Sequence, residues 1–304
     1  MVYHPANRHG IDVARVVTPA TVPALALASA LISAAATILL RRGLRYDGPY
    51  TAVWMNLAVG TVLVWLAVSL TGGFGRPSLR GIAFFALSGL IGTVGGRIFR
   101  FKGIDLVGAA ITAAMINLSP LVSTALAILV LGEHVTLPIL VGTLVIVAGT
   151  TLLSSGGRSG GVRARQLLVP LLAAMCFGVV AVLRKIGLAD MGPVAGFAVN
   201  VTAAFVAFTA FLVAARQPTV MLCGRDSLGY FVAAGVAENL SVLLLIVALT
   251  AGSVSVVAPL SSVSPIFVLV LSFFFLRGIE LLNARIVAGT ILIVAGVYLL
   301  TALR

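Results

Sequence analysis

Residues 108–149 read GAAITAAMINLSPLVSTALAILVLGEHVTLPILVGTLVIVAG, and the chain repeats their landmarks near its end. Gly108, Ser119-Pro120, Glu133, Gly142 and Gly149 return as Ser253, Ser264-Pro265, Glu280, Gly289 and Gly296, 145 to 147 positions later. Glu to Gly to Gly is spaced nine and then seven residues in both copies, and the only slip is two extra residues between Pro265 and Glu280. An echo over that distance is a duplication. In an apolar chain, duplication points first to a transporter assembled from internal repeats.

The echo reaches back to the start of each copy. Arg41-Arg42-Gly43-Leu44, Gly48-Pro49 and Asn56 correspond to Lys185-Ile186-Gly187-Leu188, Gly192-Pro193 and Asn200, with an offset of 144 throughout. With 61% apolar residues, 9% charged residues and a mean hydropathy of +1.19, the chain has too little polar surface to coat a soluble globule. Apolar windows fit to cross the roughly 30 Å hydrocarbon core fall near 20–40, 49–70, 81–103, 107–131, 137–154, 166–187, 193–214, 228–249, 253–276 and 284–303. Lipid cannot satisfy an open backbone, so each is expected to be helical. The fold class is all-α, integral to the membrane, with ten spans. Each half holds five, an odd number, so the second half enters from the opposite side and the repeats are inverted.

Domain boundaries follow. Residues 1–19 form a tail, 20–155 the first five-helix repeat, 156–165 a linker within SSGGRSGGVRARQ (154–166), and 166–304 the second repeat. Gly, Ser and Arg make that linker a flexible surface segment. Cys176 and Cys223 do not form a disulfide framework.

Ten spans in inverted halves, a Ser-Pro in each fourth span, and a Glu ahead of Gly-x6-Gly resemble the drug/metabolite transporter superfamily, of the EamA type. The likeness covers about residues 20–303. It implies a ten-helix transporter in a cell (inner or plasma) membrane. Members often carry a basic residue seven positions after the Pro opening the second span; Asn56 and Asn200 stand there in this chain.

Glu238 leads the candidate site residues. It sits mid-window in YFVAAGVAENLSVLLLIVAL, beside Asn239 and Ser241. A carboxylate at bilayer depth is costly and belongs with a cavity or a partner, which makes Glu238 the candidate proton carrier. In the third span Thr93, Arg97 and Arg100 fall at i, i+4 and i+7, one stripe of an α-helix. The repeat aligns Thr93 with Glu238, so a basic third span is expected to face an acidic eighth. An Arg fork suits a carboxylate or phosphate. Arg100 and Lys102 are expected to reach the interface instead. Asn56, Asn117 and Asn200 are intramembrane amides that bind either a solute or a neighbouring helix. Glu133 and Glu280, at span ends, are expected to cap or pair.

His4, His9 and His134 lack metal-ligand spacing, no cofactor motif occurs, and no nucleophile elbow or Walker motif suggests an enzyme. The first and sixth spans carry no acid, which disfavours a lipophilic-cation pump. Although the net charge is +12, the basic residues are scattered over helix ends and loops. Membrane lipids, not nucleic acid, are the expected partners.

Seven basic residues flank the side of the termini and twelve the other. The positive-inside rule favours termini outside, whereas the resemblance implies termini inside and is given the greater weight. The expected function is secondary transport, as an exporter, of a small polar or anionic metabolite by alternating access, with protons as coupling ion and a monomer or homodimer as the unit. The alternatives are a flippase for a lipid-linked solute or phospholipid, and a non-transporting accessory subunit.

Overall fold

The structure, a computed structural model, describes residues 18, 20–71, 74–75, 77–107, 112, 115–154, 164–275 and 284–302. Glu280, nearly all of the tail and most of the linker lie outside them. Helical segments occupy all ten sequence windows. They are α1 (Val22–Gly43), α2 (Pro49–Leu70), α3 (Leu79–Ser88) running through a π-helical stretch (Gly89–Gly96) into α4 (Arg97–Val107), α5 (Ser119–Leu131) and α6 (Leu137–Ser154). The second half supplies α7 (Leu168–Gly187), α8 (Pro193–Ala214), α9 (Arg225–Ala251), α10 (Val254–Ser261), α11 (Ser264–Phe275) and α12 (Ala284–Ala302). Among the described residues, six helices are long and apolar enough to cross a membrane, and shorter apolar helices lie within the other windows. A helix such as α1, with 22 residues, rises about 33 Å.

Local chemistry sets the boundaries, and it recurs with the repeat. Gly48 and Gly192 are extended and hand over to Pro49 and Pro193 in the first turns of α2 and α8, where a missing N–H costs nothing. The fourth and ninth spans are interrupted just ahead of their Ser-Pro pairs, at residues 117–118 and 262–263. At the second break the Pro259 carbonyl accepts from both the hydroxyl (2.7 Å) and the backbone N–H (3.1 Å) of Ser262, which closes the end of α10.

The halves are joined by antiparallel pairs of equivalent helices. In α6 and α12, Gly142 lies against Gly296 and Gly149 against Gly289. Because Gly142 corresponds to Gly289 and Gly149 to Gly296, that crossing maps onto itself when the halves are exchanged, as an in-plane pseudo-twofold requires. The α2–α8 pair obeys the same rule: Trp54 Nε1 donates to Thr209 at 3.2 Å and Trp65 Nε1 to Thr202 at 2.9 Å. α1 packs along α9, and α3 with its π-helical continuation packs along α7. The repeat is inverted, as the odd span count requires. Large apolar side chains such as Leu66, Leu129, Val206, Val213 and Ile291 face outward, the arrangement that lipid rather than water tolerates.

The loop after α1 is pinned to the far half. Asp47 accepts from the Gly224 N–H at 2.8 Å and from the Ser227 hydroxyl, so a carboxylate closes the N-terminus of α9. Those two bonds, the Ser227 one larger, hold the Asp47 carboxyl below its ordinary value. At the opposite side, Glu133 accepts from the N–H groups of Val254 (2.8 Å) and Ser255 (3.0 Å). Lys185 Nζ donates to the carbonyls of Leu249 (2.6 Å) and Gly252 (2.7 Å). One acid and one base thus brace the α9–α10 junction from its two ends, so Glu133 acts as the cap that its place in the sequence suggests.

Candidate functional site

A glycine run brings the third span close to its neighbours. A Cβ at Gly92 would collide with the Val180 side chain, one at Gly89 with the Asn200 carbonyl, and one at Gly96 would sit 2.8 Å from Phe177. The π-helical geometry spans these glycines and ends at Arg97. A widened turn changes the phase of the helix, so Thr93 no longer shares the simple α-helical stripe with Arg97 that the spacing suggests. Among the described residues, no polar contact of Thr93 brings it into the cluster around Arg97.

Arg97 reaches across the bundle: its Nη2 donates to Asn56 Oδ1 in α2 at 3.5 Å. Asn56 is also held through its backbone, whose carbonyl accepts from Asn239 Nδ2 at 3.1 Å. That amide donates to Gly235 O at 2.8 Å as well. Glu238, at the midpoint of α9, accepts from Ser33 Oγ in α1 at 3.3 Å. The Glu238 carboxylate acts electrostatically on Arg97 and on Arg100, yet it forms a direct ion pair with neither. Arg97 and Glu238 thus each bond a side chain of the first two helices rather than one another.

Other sequence candidates serve helix contacts. Asn200 is 1% exposed and donates to Phe85 O at 3.3 Å and to Ser88. Ser241 donates to Ser29 O at 2.8 Å, and Ser29 returns the bond to Ser241 O at 2.9 Å. Asn117 stands in the interrupted turn ahead of α5, half-buried. Asn239 locks α9 to α2 and in doing so fixes the acceptor of Arg97.

One residue was missed. Arg184, in the last turn of α7, reads from sequence as a charge at a helix end. It is 8% exposed, its Nε meets no acceptor, and it lies within electrostatic reach of Arg97. The available signal was antiparallel geometry. Helical side chains lean towards their own N-terminus, so Arg184 and Arg97 lean towards each other from oppositely directed helices.

The arrangement sets Arg97 of α4 beside an amide of α2 and Glu238 of α9 beside a hydroxyl of α1, with buried Arg184 of α7 within electrostatic reach of Arg97. A model of the EamA-like transporter family matches residues 21–155 and again 165–302. The chain belongs to that family. It is a family of transporters, not enzymes, and this EamA-like protein is a multi-pass membrane protein built to carry a small solute. A solved crystal structure superposes on 94% of the chain and 100% of its own, with a TM-score of 0.79 and 19% identity. That likeness shows the fold alone. No curated protein matches the sequence. The paired family matches coincide with the halves that the α6–α12 crossing relates.

Proposed function

We propose that this EamA-like transporter is a secondary active exporter of a small anionic metabolite, resident in the inner or plasma membrane. Its solute site lies between the halves, around Arg97, Asn56 and Glu238. The observation that supports this reading is that Arg97 bonds the Asn56 amide and Glu238 the Ser33 hydroxyl, so that neither charge is ion-paired with the other. Charge at membrane depth is costly unless partnered, and here positive groups outnumber negative ones. An anion on Arg97 lowers that cost. Glu238, the carboxylate at the midpoint of α9, is the group proposed to couple solute movement to protons. The interruptions in the fourth and ninth spans fit the same picture, because discontinuous helices commonly border the midplane site of inverted-repeat transporters. Asn56 and Asn239 hold the guanidinium in place, and Thr93, Asn117, Asn200 and Ser241 support the surrounding helices.

The test is a thermal-stability screen of the purified protein against small anions, zwitterions and cations. A ligand of the native state raises apparent stability by mass action. Anionic metabolites are expected to raise the Tm and matched cations to leave it unchanged. Stabilisation by cations alone would refute the anion reading.

A further inference from the structure

We propose that Arg184 is a second solute anchor and that the anion carried is doubly charged, engaging Arg97 and Arg184 together. This rests on the anionic-solute reading above and goes beyond it in naming the charge class and a residue that the charge pattern alone does not single out.

The direction of the side chain is the first support. α7 runs antiparallel to the third span: Gly103 lies against Pro170, Gly96 against Phe177, and Gly187 against Phe85. Arg97 therefore sits near the level of Phe177, two turns back from Arg184 along α7. For the two guanidinium groups to act on one another, Arg184 must extend away from the nearer helix end and into the bundle. A snorkelling arginine points the other way. Burial supports the same conclusion: Arg184 is 8% exposed and its Nε is fully enclosed with no acceptor. Buried guanidinium donors are otherwise paired, so an unfilled donor within electrostatic reach of a second cation marks a place for an acceptor that the described residues do not supply.

Charge balance then selects the ligand. Glu238 acts on Arg97 and Arg100, while the charged group acting on Arg184 is Arg97, another cation. A monoanion can neutralise one of the facing guanidinium groups; a dicarboxylate or a phosphate monoester can neutralise both. Each offers several oxygens to planar donor forks. The two chemistries share a double negative charge, and the probes below separate them.

The experiment measures binding of succinate, glycerol 3-phosphate and butyrate to the purified full-length protein, by ligand-dependent Tm. The wild type is expected to bind at least one of the two dianions about tenfold or more tightly than butyrate. Arg184→Gln should weaken that dianion by about tenfold or more and change butyrate by less than about threefold. Should Arg184→Gln fail to fold, Arg184→Lys is judged by the same ratio: a point charge without the fork should reduce the dianion preference by at least about threefold. Succinate alone identifies the dicarboxylate class and glycerol 3-phosphate alone the phosphate class; either supports the inference. Equal affinity for butyrate and the dianions overturns it while leaving the anion reading standing. An unchanged ratio in the Arg184 variants also overturns it, because a merely structural arginine would shift all ligands alike. Binding of none of the three overturns both.

Discussion

Glu238 stands at the midpoint of α9 with a serine hydroxyl as its neutral partner, and that placement suits a group that exchanges a proton during the cycle. Glu238→Gln keeps the shape and the Ser33 contact. The variant is expected to fold and to lose uptake driven by a pH gradient; gradient-driven uptake at the wild-type rate would remove Glu238 from the coupling step. Arg97 makes a separate claim. Its removal leaves the charge of a bound anion without its partner, a loss of roughly 3–5 kcal/mol when the pair is buried. Arg97→Gln should weaken an anionic ligand by at least about tenfold, and Lys102→Gln, whose side chain is exposed, by less than about threefold. Equal effects would reduce Arg97 to an interfacial charge. Outside the membrane, Asp47 supplies a pH signature. Its folded-state pKa is lowered by Ser227 and Gly224, so its contribution to stability is present above the unfolded value. That contribution is lost as pH falls below about 4, through the folded value. The Tm of Asp47→Asn should therefore fall less than that of the wild type between about pH 6 and about pH 3. Parallel Tm curves would show that the loop contact carries no pH-dependent stability. Glu238 and Arg97 were legible in the sequence because a charge inside an apolar window is conspicuous. Arg184 was not, because one residue's distance from a helix end says nothing about the direction of its side chain until the partner helix is placed.

Among the elements, the third span shows where pattern reading stops. Its apolar window and its arginines are evident from sequence, but the π-helical stretch is not. That geometry arises because GLIGTVGG must lie against α7 and α8 at distances that Val180, Phe177 and Asn200 dictate. Tertiary contact, not local propensity, selects the wider turn. The windows 107–131 and 253–276 read as unbroken spans, whereas the structure interrupts both just ahead of Ser119-Pro120 and Ser264-Pro265, where proline enters the first turn of a new helix. The glycines of α6 and α12 were legible as packing positions, and the structure adds which pairs meet. A Cβ at Gly149 would stand 2.8 Å from the Gly289 carbonyl and 2.8 Å from Ile293 Cγ1, and backbone cannot step aside as a side chain tip can. Gly149→Ala is expected to destabilise the protein by about 1–3 kcal/mol. Gly229→Ala, with nothing within 4 Å of its Cβ, should be neutral or slightly stabilising. Thermal unfolding of both variants in detergent checks the pair, and equal Tm values would mean that the α6–α12 crossing is looser than its geometry indicates.

At the scale of the whole molecule, the duplication carried the architecture. Matching landmarks across 144 to 147 positions and an odd number of spans per half were sufficient for an inverted repeat, and the helix pairs α6–α12 and α2–α8 realise it. What the repeat could not reveal is how the halves differ. Glu238 aligns with Thr93, and Arg97 has no basic counterpart in α9, so the symmetric frame holds an asymmetric centre, with Arg97 in one half and Glu238 and Arg184 in the other. The transport proposal builds on that asymmetry: the halves would move about a site that draws charged groups from both. Loading the protein into sealed liposomes and following entry of a stabilising anion under an imposed pH gradient tests this most directly. The expected result is saturable entry above that of protein-free liposomes, collapsing when the gradient is dissipated. Entry no faster than in protein-free liposomes, with the protein folded and the anion bound, would contradict transport and leave a membrane protein that binds an anion without moving it.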